Sequence, residues 1–227
     1  MRFMDKPLLA KRVRSGNIPP HARLPGHSAD VADACGMLCF VLGRRALHRF
    51  GIHGRVEEMC TLLRQFGWWH DTGKAGDHFQ DFIEFRSMQQ LVRHEVVSAL
   101  LLRFHPGFAP LIEQLGELKN VLFCMILGHH RKFPQRKGQL ASSPLTVPIS
   151  HPEFQELIEA IKRDTGIADL TVAGDSILLS PDADPSDENT WSVQVKVSIL
   201  RKELIAWATG NLPEETVRLT ALGKALA

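Results

Sequence analysis

Trp68-Trp69-His70-Asp71-Thr72-Gly73-Lys74 is the stretch on which the reading of this chain turns. From Val56 to Trp69 the apolar residues Met59, Leu62, Leu63 and Phe66 recur at helical spacing. The periodicity therefore predicts a helix that ends at or near His70-Asp71, with Gly73 as its terminator. An imidazole and a carboxylate adjacent at a helix end can converge on one point, and divalent metals accept that pair of donors. Two residues recur by chance. The pair gains weight because His27, His94 and the adjacent His129-His130 also stand at predicted helix starts and ends.

The chemistry this pattern suits is metal-assisted hydrolysis of a phosphodiester. A water must lose a proton near neutral pH, and charge must be stabilised on the phosphoryl oxygens. Two ions about 3.5–4 Å apart can do both, provided a carboxylate bridges them. Asp71 is the natural bridge. His129 and His130 would diverge by about 100° on a regular helix, so they share a cleft only if it wraps around that helix end.

Working outward, His27 to about Phe50 carries Val31, Ala34, Cys35, Leu38, Val41 and Leu42 at helical period. Residues 1–26 hold Gly16, Pro19, Pro20, Pro25 and Gly26 and read as an irregular N-terminal arm. Further helices are expected at 77–85, 94–104, from Pro110, at 121–127 and at 153–163. Residues 134–152, rich in Pro, Ser, Gln and Gly, read as a surface loop. From about 167 to 200 the segments Leu170-Thr-Val-Ala, Ser176-Ile-Leu-Leu and Trp191-Ser-Val-Gln-Val-Lys-Val alternate or are β-branched, which suits a small antiparallel β appendage. Helix can return over 198–209. The expected fold class is mainly α, a helical bundle with a small late β element, in a single domain over 1–227.

Composition agrees. A 44% hydrophobic chain of 227 residues can bury a sizeable core. Cys35, Cys39, Cys60 and Cys124 are too few and too irregular for a disulfide framework. They read as buried, reduced thiols of a cytoplasmic protein. No apolar run approaches the roughly 20 residues of a membrane span, so no membrane association is expected. The net charge of +2 hides an uneven distribution. Arg2, Lys6, Lys11, Arg12, Arg14 and Arg23 crowd the arm, and Arg131, Lys132, Arg136 and Lys137 follow His129-His130. A positive rim suits a polyanionic substrate, and an ordinary solvated loop would look the same.

Four segments carry a resemblance. They are Gly26-His27-Ser-Ala-Asp30, His70-Asp71-Thr-Gly73-Lys74 with the trailing Phe79-Gln80, Arg93-His94-Glu95, and Gly128-His129-His130. Together they resemble the HD superfamily of metal phosphohydrolases, and more closely the HD nuclease of type I CRISPR systems. The resemblance spans about residues 8–135. It implies an HD-type helical bundle in which His27 and His70 bind a first metal, His94, His129 and His130 bind a second, and Asp71 bridges. Lys74 would face the scissile phosphate. It also implies a nuclease acting on single-stranded DNA, with a superfamily-2 helicase and an RNA-guided surveillance complex as partners. The chain has no Gly-x4-Gly-Lys-Ser/Thr phosphate loop, so any helicase is a separate chain or another part of the same one.

The family also closes its first metal site with an aspartate on a late helix, and this chain has no Asp after Asp187. Asp182 and Asp184 are substitutes only if a proline-flanked loop can present them. A site holding one metal, or two with the first weakly held, follows. The imidazole-rich donor set favours Mn²⁺, Fe²⁺, Co²⁺ or Ni²⁺ over Mg²⁺. Two other readings stand beside this one: a phosphohydrolase of nucleotides or cyclic nucleotides, and a non-catalytic scaffold with a degenerate site.

The remaining candidates read more plainly. His21, His48, His53, His105 and His151 are expected at the surface. Phe79, Phe82 and Phe85 suit core packing better than base stacking. Trp68 or Trp69 is expected to wall the site. Arg93 and Glu95 are expected to support His94, while His78 and Gln80 could line a substrate path.

Overall fold

The computed structural model describes residues 4–14, 16–52, 54–87, 92–130, 144–181, 183 and 190–226. Helix α1 (Leu24–Leu38) passes through a π-helical turn, Cys39–Gly43, into α2 (Arg44–Arg49). Next come α3 (Val56–Trp69), a 3-10 turn over Thr72–Ala75, α4 (Asp77–Ile83) and α5 (His94–Phe104). Beyond Pro106 lie α6 (Ala109–Leu115) and α7 (Leu118–Gly128). The later part holds β1 (Leu145–Val147), α8 (Pro152–Thr165), β2 (Ile177–Ser180), β3 (Thr190–Ser192), α9 (Val193–Thr209) and α10 (Glu214–Leu226). The three strands form one small sheet in the order β1-β2-β3, with β1 antiparallel and β3 parallel to β2.

The core is built where α3 meets α1 and α7, with α5 packed on α7 and on the turn that follows α3. Leu62, Leu63, Phe66 and Trp69 of α3 are buried in one apolar cluster with Ala32, Leu100, Leu101, Leu122 and Ile126. Burying each large side chain is worth about 1.5–3 kcal/mol. The close approach of α1 and α3 rests on Gly67, where a Cβ would lie 2.4 Å from Ala32 Cα. α3 and α5 are amphipathic, with their apolar residues at helical spacing on the buried side, as the sequence pattern predicts.

The N-terminal arm is irregular as expected, yet it is fixed to the body. Leu8, Leu9 and Ala10 are buried. The Leu8 amide donates to Glu153 Oε2 at 2.6 Å, the Leu24 amide donates to Leu8 O, and Leu9 bridges to Arg23.

Several local expectations are corrected. β1 lies within the stretch read as surface loop, with Leu145 and Val147 buried. Leu170 to Ala173 forms no strand. Strand β3 stops at Ser192, whose hydroxyl accepts from the Val195 amide and caps α9, so the Val-Gln-Val-Lys-Val alternation is helical. Helix α10 was not foreseen.

Cys39 and Cys60 are joined in a disulfide, against the expectation of reduced thiols, because the π-turn sets Cys39 opposite α3. His105 and His151 are buried rather than exposed, and each caps a helical turn through Nδ1. His151 Nε2 also donates to Lys6 O at 2.9 Å, tying α8 to the arm. Among the described residues no single helix is long and apolar enough to cross a membrane.

Candidate metal centre

Every predicted donor stands at or near a helix end. His27 lies in the first turn of α1, His70 and Asp71 just past α3, His94 at the start of α5, and His129 and His130 just past α7. Because α7 ends at Gly128, the divergence expected on a continuing helix does not apply. The two rings lie with centroids 4.1 Å apart.

The turn after α3 is stapled from α5. Ser98 Oγ accepts from the Gly73 amide at 2.8 Å and donates to His70 O at 3.0 Å. Gly73 is required there, since a Cβ would lie 2.1 Å from His94 O.

Asp71 sits at the middle, 2% exposed. Its Oδ2 lies 2.9 Å from His27 Nε2, 3.0 Å from His70 Nε2 and 2.6 Å from Lys74 Nζ. Its Oδ1 faces the other way, 3.1 Å from His94 Nε2 and 3.8 Å from His129 Nε2, with neither in hydrogen-bonding geometry. His130 Nε2 approaches His94 Nε2 to 3.1 Å. The nitrogens of His94, His129 and His130 form one cluster, and the donors of His27, His70 and Asp71 form a second.

Tautomers are set from behind. His70 Nδ1 donates to Gly67 O at 2.9 Å and His129 Nδ1 donates to Ile126 O at 2.7 Å, so both Nε2 lone pairs point into the centre. Glu95, buried and paired with Arg93, stands 3.7 Å from His94 Nδ1. This is the supporting position expected for both residues.

The electrostatics favour an anionic Asp71 carboxylate and the neutral forms of His27, His129 and His130. Burial raises the Asp71 carboxyl, but the imidazoles of His27, His70 and His94 outweigh it and hold the group well below the usual carboxylate range. Burial lowers His27 despite its contact with Asp71, and burial lowers His129 to about 3. His130 is lowered by burial and by His94.

The residues fit a divalent metal. Asp71 Oδ1 and His129 Nε2 are both buried without a hydrogen-bond partner. Two lone-pair donors aimed at a shared space, with no hydrogen between them, are costly unless a cation accepts both.

The structure departs from the sequence reading at several neighbours. Trp69 Nε1 donates to Gln65 and Trp68 Nε1 donates to Asp164, so neither indole walls the centre. Phe66 does, with its ring 5.2 Å from His70 and 5.9 Å from His129. The signal for it was available, because Phe66 precedes His70 by one helical turn and shares its face. Gln80 is buried in backbone contacts rather than lining an open path. Phe79 packs with Leu9 and Ile83, as core packing predicts, and its ring meets His94 at 5.4 Å.

On α9, where the late acid was sought, Glu203 is bound to Arg103 at 2.7 Å and is unavailable as a donor. Asp182, Asp184 and the basic residues 131–137 lie outside the described residues. Ser98 was missed, since a lone serine on an apolar helix carries no signal.

A helical bundle with two histidine clusters around one helix-end aspartate is the HD class of metal-dependent hydrolase. The model of the Cas3 HD domain family matches residues 10–199. The chain therefore belongs to the Cas3 HD domain family, a CRISPR-associated group. Among solved structures, a CRISPR-associated Cas3 HD domain protein from Methanocaldococcus jannaschii shares the fold. Its TM-score is 0.50 at 18% identity, over 97% of this chain and 96% of that one. No curated protein matches the chain.

Proposed function

We propose that this HD domain cleaves phosphodiester bonds of single-stranded DNA as the nuclease component of a CRISPR interference system. The observation that carries the reading is the division of Asp71, with Oδ2 facing His27 and His70 and Oδ1 facing His94 and His129. His27, His70 and Oδ2 would hold one divalent ion, and His94, His129, His130 and Oδ1 a second. The imidazole-rich set favours Mn²⁺, Fe²⁺, Co²⁺ or Ni²⁺. Bound ions supply an activated water and neutralise charge on the phosphoryl oxygens.

The protein's own part is geometric and electrostatic. Asp71 stays ionised, and the Nε2 lone pairs of His70 and His129 are kept aimed by the carbonyls of Gly67 and Ile126. Lys74, 13% exposed and 2.6 Å from Oδ2, brings a positive charge to where phosphoryl charge develops. A superfamily-2 helicase that delivers unwound strand and an RNA-guided complex that selects it are the partners this activity requires.

The test is incubation of manganese-loaded protein with circular single-stranded DNA. Cleavage that disappears in Asp71→Ala is expected. Release of phosphate from nucleotides with the circle left intact would overturn the reading in favour of a nucleotide phosphohydrolase.

A further inference from the structure

The geometry points to Gln80 as a positioning residue for Lys74, acting through a closed ring of contacts with the N-terminal arm. The inference rests on the proposed role of Lys74. Gln80 leaves α4 with its side chain 1% exposed. Its Nε2 donates to Lys74 O at 2.6 Å, which fixes the backbone of the turn that carries the lysine. The same nitrogen donates to Leu9 O at 3.0 Å, and Oε1 accepts from the Leu9 amide at 3.0 Å. Leu9 is thereby gripped at both backbone groups, as by a partner in a strand ladder.

The next carbonyl, Ala10 O, accepts from Lys74 Nζ at 3.1 Å. The ring therefore runs from the Gln80 amide to the Lys74 backbone, along the lysine side chain to Ala10, and back through Leu9 to Gln80. Lys74 Nζ has one anchor in this ring, Ala10 O, and one in the metal centre, Asp71 Oδ2. The arm's far side is fixed independently, since the Ala10 amide donates to Ala22 O and the Leu8 amide to Glu153. Gln80 is the one described side chain that bonds both the arm and the lysine turn.

A lysine has a flexible stem of four carbons, and holding its ammonium at one point costs rotamer entropy. The hydrogen bond to a backbone carbonyl beside the carboxylate offsets that cost and holds the ammonium at one point. Removing the amide at position 80 frees Leu9 from α4 and the Lys74 backbone from Gln80, which loosens the Ala10 O anchor of Lys74 from both sides. The metal donors, which lie on α1 and α5 and just past the ends of α3 and α7, make no hydrogen bond to Gln80.

Gln80→Met keeps the length and shape of the side chain and loses all three bonds. Gln80→Glu keeps the acceptor for the Leu9 amide but sets an oxygen against two carbonyls, and it serves where the methionine variant fails to fold. In metal-free protein, acetylation of Lys74 by acetic anhydride, followed by peptide mass, is expected to run about ten-fold faster in the variant. In manganese-loaded protein kcat on single-stranded DNA is expected to fall about ten-fold, with KM and bound manganese unchanged. In a Lys74→Ala background Gln80→Met is expected to cost nothing further. Unchanged protection of Lys74, or penalties that multiply in the double variant, would overturn the inference. If wild-type protein cuts no DNA, the proposed activity fails, and the acetylation rate alone still decides the positioning role.

Discussion

Gly73→Ala tests the link between packing and the metal centre. The added Cβ would meet His94 O at 2.1 Å, Ser98 N at 2.7 Å and Val97 Cβ at 2.8 Å. Two of these are backbone atoms of α5, so no side chain can swing aside to make room. The turn after α3 and the first turn of α5 must separate by roughly 1 Å, an overpacking that costs about 3 kcal/mol. In a chain of this length that corresponds to a fall in Tm of roughly 6–12 °C.

The same displacement breaks the Ser98 staple and carries His94, the first residue of α5, away from Asp71 Oδ1. Manganese affinity is therefore expected to drop about ten-fold or more as the donors lose register. Thermal melting of metal-free protein and calorimetric titration with Mn²⁺ read the two effects separately. A variant that melts within about 1 °C of wild type and binds manganese equally well would refute the reasoning, since overpacking at a rigid contact cannot be silent.

Asp71→Ala is expected to leave both histidine clusters without their shared carboxylate, and metal analysis should show less than about one-tenth of wild-type manganese. Acid sensitivity of the metal-free fold follows from His129, lowered from 6.5 to about 3 by burial, with His70, His130 and Asp71 facing it. Above pH 6.5 both folded and unfolded states hold it neutral. As pH falls from there toward 3, the unfolded chain takes up a proton that the folded chain refuses, and stability is lost. By pH 5 this amounts to roughly 2 kcal/mol, measured as the difference in urea unfolding between wild type and His129→Gln. Equal acid sensitivity in the two proteins would contradict it.

Asp164→Asn weakens the ion pair with Arg64 and the contact with Trp68 Nε1, at 2.6 Å and 2.7 Å. With Arg64 partly exposed, the expected cost is about 1 kcal/mol in urea unfolding, and an unchanged midpoint would show the pair to be idle. Manganese at one hundred times its Kd is expected to add about 2.7 kcal/mol to stability. Chelator should reverse that gain, and its absence would mean that no ion binds the folded state.

The helices were legible because each buries one face. Met59, Leu62, Leu63 and Phe66 announce α3, and Val97, Leu100 and Leu101 announce α5. The site was legible through its histidines, because imidazoles at several helix ends are uncommon without a shared purpose. What stayed hidden depends on contacts between distant segments. Val193 to Val197 alternates like a strand, yet a capping serine and packing on α5 make it helix. The disulfide of Cys39 with Cys60 depends on a π-turn that no local signal marks. Trp68 and Trp69 flank the donors in sequence, but the helix turns them toward Asp164 and Gln65, and Phe66 takes the wall instead. Gln80 was read as lining a substrate path because its actual partners, Leu9 and Lys74, meet it only through backbone groups, which leave no mark in the sequence.

The placement of every donor at a helix end has a consequence for how the clusters are completed. No single helix holds more than part of a cluster, since the ends of α1, α3, α5 and α7 each bring one or two ligands from separate stretches of chain. A complete donor set therefore exists only where separate helices have packed together, and full occupancy of both clusters requires α1, α3, α5 and α7 to be in place at once.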